Sequence, residues 1–495
     1  MALDIKISPE EITALTPWKT LFPNIDSALA EVARLEALLT LPKGTIHIIS
    51  DIHGEYTKLR HVINNASGKL RPLVEGLFGN IMPPMELREF LTLIFYPREM
   101  LDAIKPRLEN PATEREFCHK NLKHLFSILR VLSKRYGLEK IYKISPIDYR
   151  DLFIELLHEP SADRGNEYYS ALIDTILENG KGPELVHLTV RAVRNLAIDE
   201  LIIAGDCWDR GQRGDKVVDY MMVQPNVAFT WGNHDAAWLG ACIGNEALIA
   251  HVVRISLRYR NILQLEEGYG VPLQPIEYLV RHVYKDDPAL CFKPKAEGLR
   301  EPVMLARMQK AIAIIQFKLE GQMLARRPEW NLTHRRLLHT INTNDKTIMI
   351  DGKVCHLKDT SFPTINPNDP YTLTEDEQIC LEKLKTSFLS SDKLFNHMRY
   401  LRDRGSMYLV RDNHLIIHGC VPVDANGEFQ SLIIDGIPRK GKELYDVLND
   451  IFSRAIESPT DYDRDMMWYL WCGPRSPLFG KERIATFEID LVEEH

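Results

Sequence analysis

Four short stretches of this 495-residue chain carry side chains able to hold metal ions beside a phosphate. They are Asp51-Ile-His53, Gly205-Asp206-Cys-Trp-Asp209-Arg210-Gly211, Gly232-Asn233-His234-Asp235 and His418-Gly419. In the second, two carboxylates three residues apart precede an arginine, a grouping suited to cations and an anion held together. Residues i and i+2 of a strand share a face, so Asp51 and His53 can converge on one ion while Ile52 turns to the core. Asn233 offers an oxygen ligand without added negative charge, and His234 suits a general acid for a departing alkoxide. Donors limited to oxygen and nitrogen point to Mn²⁺, Mg²⁺, iron or Zn²⁺. The expected site is dinuclear. Asp51, His53 and Asp206 hold one ion, and Asp206, Asn233 and His418 hold the other. Two ions roughly 3.5–4 Å apart share a water and lower its pKa enough to supply hydroxide near neutral pH. That hydroxide attacks phosphorus in line. Arg210 binds the non-transferred oxygens through its planar fork, and His234, oriented by Asp209, protonates the leaving oxygen.

Each stretch follows an apolar or branched run that reads as a strand: Thr45–Ile49, Leu201–Ala204, Asn226–Trp231 and Asn413–Ile417. Open sheets place their sites at strand C-termini, so all four sets can meet on one edge. Between them the chain is mostly helical. Helices are expected at Tyr56–Asn65, Pro84–Leu93, Arg115–Leu138, Pro146–His158, Tyr168–Leu177 and Pro183–Asn195, several opening on a proline, which the first turn tolerates. Further helices are expected at Asn245–Leu257, Pro275–Tyr284, Glu301–Arg326, Leu381–Phe388, Ser391–Asp403 and 441–457, with a hairpin over Lys346–Cys355 turning at Asp351-Gly352. The organisation that follows is an N-terminal helical segment (1–40), a core assembled from 41–69, 181–240 and 405–495, and helical insertions at 70–180 and 241–404. The first segment, with Leu29, Val32, Leu35, Leu38 and Leu39 at helical spacing, docks without chemistry.

A formal net charge of −8 leaves no basic footprint for nucleic acid, while local metals and arginines still permit a phosphorylated small molecule as substrate. No apolar run approaches membrane-spanning length, and the N-terminus lacks the build of a signal peptide. Eight scattered cysteines without a C-x-x-C pair give neither a disulfide framework nor a thiolate zinc site. A cytoplasmic location with reduced thiols is expected, and a homo-oligomer stays open.

The four motifs in this order resemble the metallophosphoesterase superfamily, and within it the phosphoprotein-phosphatase-like branch. The wording Ser50-Asp-Ile-His-Gly-Glu-Tyr56, the helical stretch before Gly205–Gly211, and Trp468-Tyr-Leu-Trp-Cys-Gly-Pro-Arg-Ser-Pro-Leu-Phe-Gly480 are similar to the class III fructose-1,6-bisphosphatases of bacteria. The resemblance runs to about residue 488. It implies an α/β (α+β layered) fold, a calcineurin-like β-sandwich core flanked by helices with large helical insertions. It also implies hydrolysis of the 1-phosphate of fructose 1,6-bisphosphate to fructose 6-phosphate in gluconeogenesis, with manganese as the usual metal. The alternatives are a phosphatase of the same branch acting on phosphoprotein or dinucleoside polyphosphate, and a weakly active remnant. In the superfamily a further histidine, in a Gly-His or Arg-His motif beyond the His418 equivalent, completes the second metal, and the class III family carries it after the Ser-Pro-Leu-Phe-Gly stretch. No Gly-His dipeptide occurs here, so a C-terminally truncated chain one ligand short is expected.

Overall fold

The central strands Glu200–Ala204 and Val227–Thr230 form from side chains buried on both faces, as a sheet covered by helices requires, while Ile46–Ser50 leaves Ile48 exposed. The computed structural model describes residues 8–108, 110–158, 165–295 and 301–494. Of the segment expected at 1–40, residues 1–7 lie outside the described residues. In chain order the described strands are β1 (Ile46–Ser50), β2 (Glu200–Ala204), β3 (Val227–Thr230), β4 (Thr347–Ile350), β5 (Lys353–His356), β6 (Gly405–Ser406), β7 (Leu409–Arg411), β8 (His414–Ile416), β9 (Leu432–Ile434) and β10 (Ile437–Arg439). One four-stranded sheet has the order β1-β2-β3-β6, and β4–β5, β7–β8 and β9–β10 are separate two-stranded ladders. β2, β3 and β6 run parallel, with Leu201 opposite Val227 and Phe229 opposite Gly405. The class is α/β.

Two compact units divide the chain: Met1–Ile46 with Ile63–Asp199, and His47–Val62 with Glu200–His495. The first is helical beyond its strand residue, and one apolar cluster runs through it from Ala66 and Leu70 to Leu196 and Ala197. Its longest helix, Pro111–Ser133, opens on a capping box at Asn110 with proline in the first turn. In the second unit helix Pro302–Arg326 is buried almost all round. Its Ala313, Ile314 and Phe317 join Phe487, Leu491 and Val492 in a second cluster.

The expected hairpin forms as β4–β5, with Asp351 and Gly352 both at positive φ in the turn (50° and 76°). The expected core strand at Asn413–Ile417 does not join the main sheet. Its residues 414–416 form β8, paired antiparallel to β7, and the fourth strand of the sheet is Gly405–Ser406. The cause is local. Asp412 and Asn413 both adopt left-handed φ (48° and 65°), the geometry of a two-residue hairpin turn whose twist matches its strands. His418 is thus delivered two residues beyond a short hairpin.

Candidate dinuclear metal centre

The ends of β1 and β2 are held together beyond their last strand residues. His53 N–H donates to Asp206 O at 2.8 Å and Gly54 N–H to Cys207 O at 2.9 Å, and Gly211 N–H returns to His53 O at 2.6 Å. Asp51, His53 and Asp206 all sit in the left-handed region, with φ of 52°, 50° and 60°. Such backbones cost on the order of 1–3 kcal/mol each and cluster where function demands them. Gly205, at φ +85°, passes directly under the His418 ring, and a Cβ there or on Gly232 would collide with the His418 imidazole or the Asp206 carboxylate.

These turns aim the side chains at one another. His53 Nε2 lies 3.4 Å from Asp51 Oδ1, and its Nδ1 lies 3.9 Å from Asp206 Oδ2 and 3.5 Å from Asp209 Oδ2. His418 Nε2 lies 3.5 Å from Asp206 Oδ2. Possible ligand atoms gather in two triads, Asp51–Asp206–His418 and His53–Asp206–His234, each within 4.8 Å, and Asp206 belongs to both. The expected neighbours Asp51 and His53 lie 3.4 Å apart, and the two triads further set Asp51 with His418 and His53 with His234.

The donor chemistry fits divalent metal. Separations of 3.4–3.9 Å are too long for hydrogen bonds and suit two lone pairs directed at a common cation. His418 Nδ1 meets Ala204 O at 2.8 Å. A carbonyl can only accept, so that nitrogen carries the proton and Nε2 offers its lone pair. The Asn233 amide nitrogen donates to Trp471 O at 3.2 Å, which leaves its oxygen as the free end. His53 Nδ1 is buried with no hydrogen-bond partner. Burial, and then the charge of Asp235, push the Asp206 carboxyl up to about 9. A carboxylate so short of positive charge is the ligand that a divalent cation restores to its ionised form.

The expected catalytic residues surround this group. His234 Nδ1 faces Asp209 Oδ1 at 3.6 Å, and the His53 and His234 rings meet edge to face at 5.7 Å. Burial depresses His234 to about 4, against Asp209, while His53, His418 and Arg210 push in the same direction as burial. Arg210 stands at the mouth, its side chain 59% exposed and its Nε 3.5 Å from Asp209 Oδ2.

Spacing gave no role to three residues that the structure brings to this site. Asp235, fully buried, accepts from the backbone N–H groups of Asp206 (2.9 Å), Cys207 (2.8 Å) and Gly232 (2.9 Å), locking the two metal-bearing turns together. Its signal was present: an acid at the third position of helix Asn233–Cys242, where it caps the backbone. Asn261 donates its amide to Asp209 O at 2.7 Å and Gly211 O at 3.1 Å, and nothing local in its sequence marks it. His251 meets Trp471 with ring centroids 3.8 Å apart, tilted by 42°, and lines a small pocket with Asp209, His234 and Trp238.

The same residues lie inside a family match. The model of the Firmicute fructose-1,6-bisphosphatase family covers residues 14–495. The chain belongs to that family. Among curated proteins it is similar to fructose-1,6-bisphosphatase class 3 1 of Clostridium beijerinckii, 42% identical over 483 residues that make up 96% of this chain and 72% of the relative. It is 40% identical to the class 3 proteins of Clostridium novyi and Clostridium acetobutylicum, again over 96% of this chain and 72% of each relative. No solved structure is significantly similar. Membership of a fructose-1,6-bisphosphatase family agrees with a site built to hold cations around a phosphate, and family members of this kind depend on divalent metal.

Proposed function

We propose that this chain hydrolyses the 1-phosphate ester of fructose 1,6-bisphosphate to fructose 6-phosphate and phosphate, with two divalent cations, manganese by preference, at Asp51, His53, Asp206, Asn233 and His418. The observation that carries the reading is the position of Asp206, a buried carboxylate common to both triads of possible ligands. Family membership supplies the sugar bisphosphate. Divalent cations, when bound, would supply here the positive charge that lowers the pKa of water and offsets the negative charge of the phosphate.

The protein's own groups do the rest. Arg210, exposed at the mouth, meets the phosphate oxygens with paired N–H donors. His418, fixed by Ala204, and Asn233, fixed by Trp471, hold their donor atoms without rotation. His234 protonates the leaving sugar oxygen. Its imidazole is neutral at pH 7 in the free protein; the negative charge of the arriving phosphate, with that of Asp209, favours the protonated ring, which takes its proton from solvent. Asp209 orients the ring. The location we infer is the cytoplasm, supported by eight cysteines that are all free thiols; no single described helix is long and apolar enough to cross a membrane.

The test is phosphate release from fructose 1,6-bisphosphate with Mn²⁺, set beside a phosphopeptide and a dinucleoside tetraphosphate. The sugar bisphosphate is expected to be turned over preferentially, and a preference for either competitor refutes the substrate. Asp206→Asn is expected to lower turnover by roughly 10³-fold or more, the scale of losing a central catalytic group, with an unchanged circular dichroism spectrum. Retained turnover removes Asp206 from the shared position.

A further inference from the structure

The second helix of the chain is inside out. Helices α1 (Pro9–Leu21) and α2 (Ile25–Leu39) open the first unit, and α2 begins on a capping box at Asn24 and Ser27. The face of α2 turned to its own unit is the polar one: Arg34 pairs with Glu31 at 2.6 Å and reaches Glu139 at 3.2 Å, with Leu38 beside them against Gly137. The opposite face carries Ile25, Leu29, Val32, Leu35 and Leu39, all exposed, Ile25 by 77% and Leu39 by 86%. α2 buries no residue at all. A solvated surface helix puts its apolar stripe inward, so this one is ordered for something outside the chain. α1 adds exposed Leu15, Trp18 and Leu21. The five side chains of the α2 stripe alone present several hundred Å² of apolar surface, on the scale of the roughly 300–600 Å² of the largest patch on a typical monomer.

We infer that α2 pairs with α2 of a second copy of this chain, antiparallel about a two-fold axis through Val32. Three observations select this occupant. The exposed stripe runs the whole length of α2, from Ile25 to Leu39, so two copies can cover one another along the entire helix. Ile25, Val32 and Leu39 recur every seven residues with Leu35 between them, the repeat by which one helix packs on another like itself. The charge pattern then sets the direction. Glu36 lies within the stripe, and in a parallel pair it would meet its own copy. In the antiparallel pair it lies opposite the partner's Ala28, about 12 Å along the axis from the partner's Glu36 at a rise of 1.5 Å per residue, beyond a Debye length of about 8 Å. The same axis sets Ile25 against the partner's Leu39 and Leu29 against the partner's Leu35. An anionic membrane is the poorer occupant, because the only base on α2, Arg34, is already engaged on the inner face.

The test is the mass of the intact chain in solution at micromolar concentration, by light scattering after gel filtration. The wild-type mass is expected at an even multiple of the chain mass, and the double variant Leu29→Glu/Val32→Glu at half the wild-type value, with turnover of fructose 1,6-bisphosphate per chain unchanged. Under mild oxidation Val32→Cys is expected to cross-link to itself. Ile25→Cys is expected to cross-link only when mixed with Leu39→Cys, with the wild type as the control for native thiols. A wild-type monomer overturns the proposal, and its binding to anionic vesicles would assign the stripe to a membrane instead. A mass unaltered by the two glutamates, or Ile25→Cys linking to itself, overturns it equally.

Discussion

Asp206 is the residue on which the chemistry converges, yet its position is set by a neighbour. Asp235 gathers three backbone N–H groups from two different turns, so the spacing between Asp206 and Asn233 depends on that carboxylate. Asp235→Ala leaves three buried donors unmet at about 1–3 kcal/mol each. Melting at a clearly lower temperature is expected, along with divalent affinity weakened by roughly 10–100-fold, the range for lost supporting contacts. An unchanged melt with unchanged metal binding, the latter measured calorimetrically, would remove the bracing role. Asp51 makes the complementary case. It holds φ at 52°, a conformation glycine adopts freely, and its carboxylate is needed only for the ion. Asp51→Gly is therefore expected to stabilise the metal-free protein by about 1 kcal/mol while abolishing most activity. A metal-free melting temperature that falls instead of rising would show that the left-handed turn carries no strain.

At the scale of elements, the hairpin β7–β8 positions a candidate ligand it does not contain. His418 follows β8 by two residues, and the turn before β8 is Asp412-Asn413 with both residues left-handed. A β-branched residue is poorly tolerated there, at roughly 1–2 kcal/mol. Asn413→Val is thus expected to weaken metal binding although position 413 touches no ligand, whereas Asn413→Gly keeps it; equal affinities in a metal titration would disconnect the hairpin from the site. This hairpin is also where the sequence misled. The runs before Asp206 and Asn233 are strands of the main sheet because they are apolar on both faces, a pattern visible without a structure, and the run before Asp51 joins them as an edge strand with Ile48 exposed. Asn413–Ile417 uses the same residue types, but Leu415 is exposed and the run ends in an isolated ladder. Likewise the spacing singled out Asp51, His53, Asp206 and His418, which the triads contain, and gave His234, also in a triad, to acid catalysis. It could not say that Asp51 faces His418 and not His53 alone, because that follows from three left-handed turns whose φ no periodicity encodes. The amphipathic pattern of α2 declared an apolar face and was silent on what lies against it.

Across the whole molecule, histidines wholly or partly withdrawn from water couple stability to pH. His119, His124 and His187 in the first unit, and His251 and His397 in the second, are all held below the ordinary imidazole value, burial being the largest cause in each. His124, for example, sits with its ring 5.0 Å from Phe78 and 5.6 Å from Phe90, with little water to solvate a charge. The unfolded chain protonates these groups near pH 6.5, and the folded chain does so only at lower pH. Between the two the unfolded state binds more protons, so stability falls as pH drops through about 6.5 and levels off once the folded imidazoles are charged. Asp206 and Asp235, both raised, act in the opposite sense, and saturating Mn²⁺ removes Asp206 from the balance by keeping it ionised. With Mn²⁺ present, the melting temperature is therefore expected to fall by several degrees between pH 7.5 and pH 5.5. His124→Gln, which cannot charge, is expected to flatten part of that slope. A melting temperature that holds constant over this range, or a slope untouched by the substitution, would mean that the histidines take up their protons without leaving the fold.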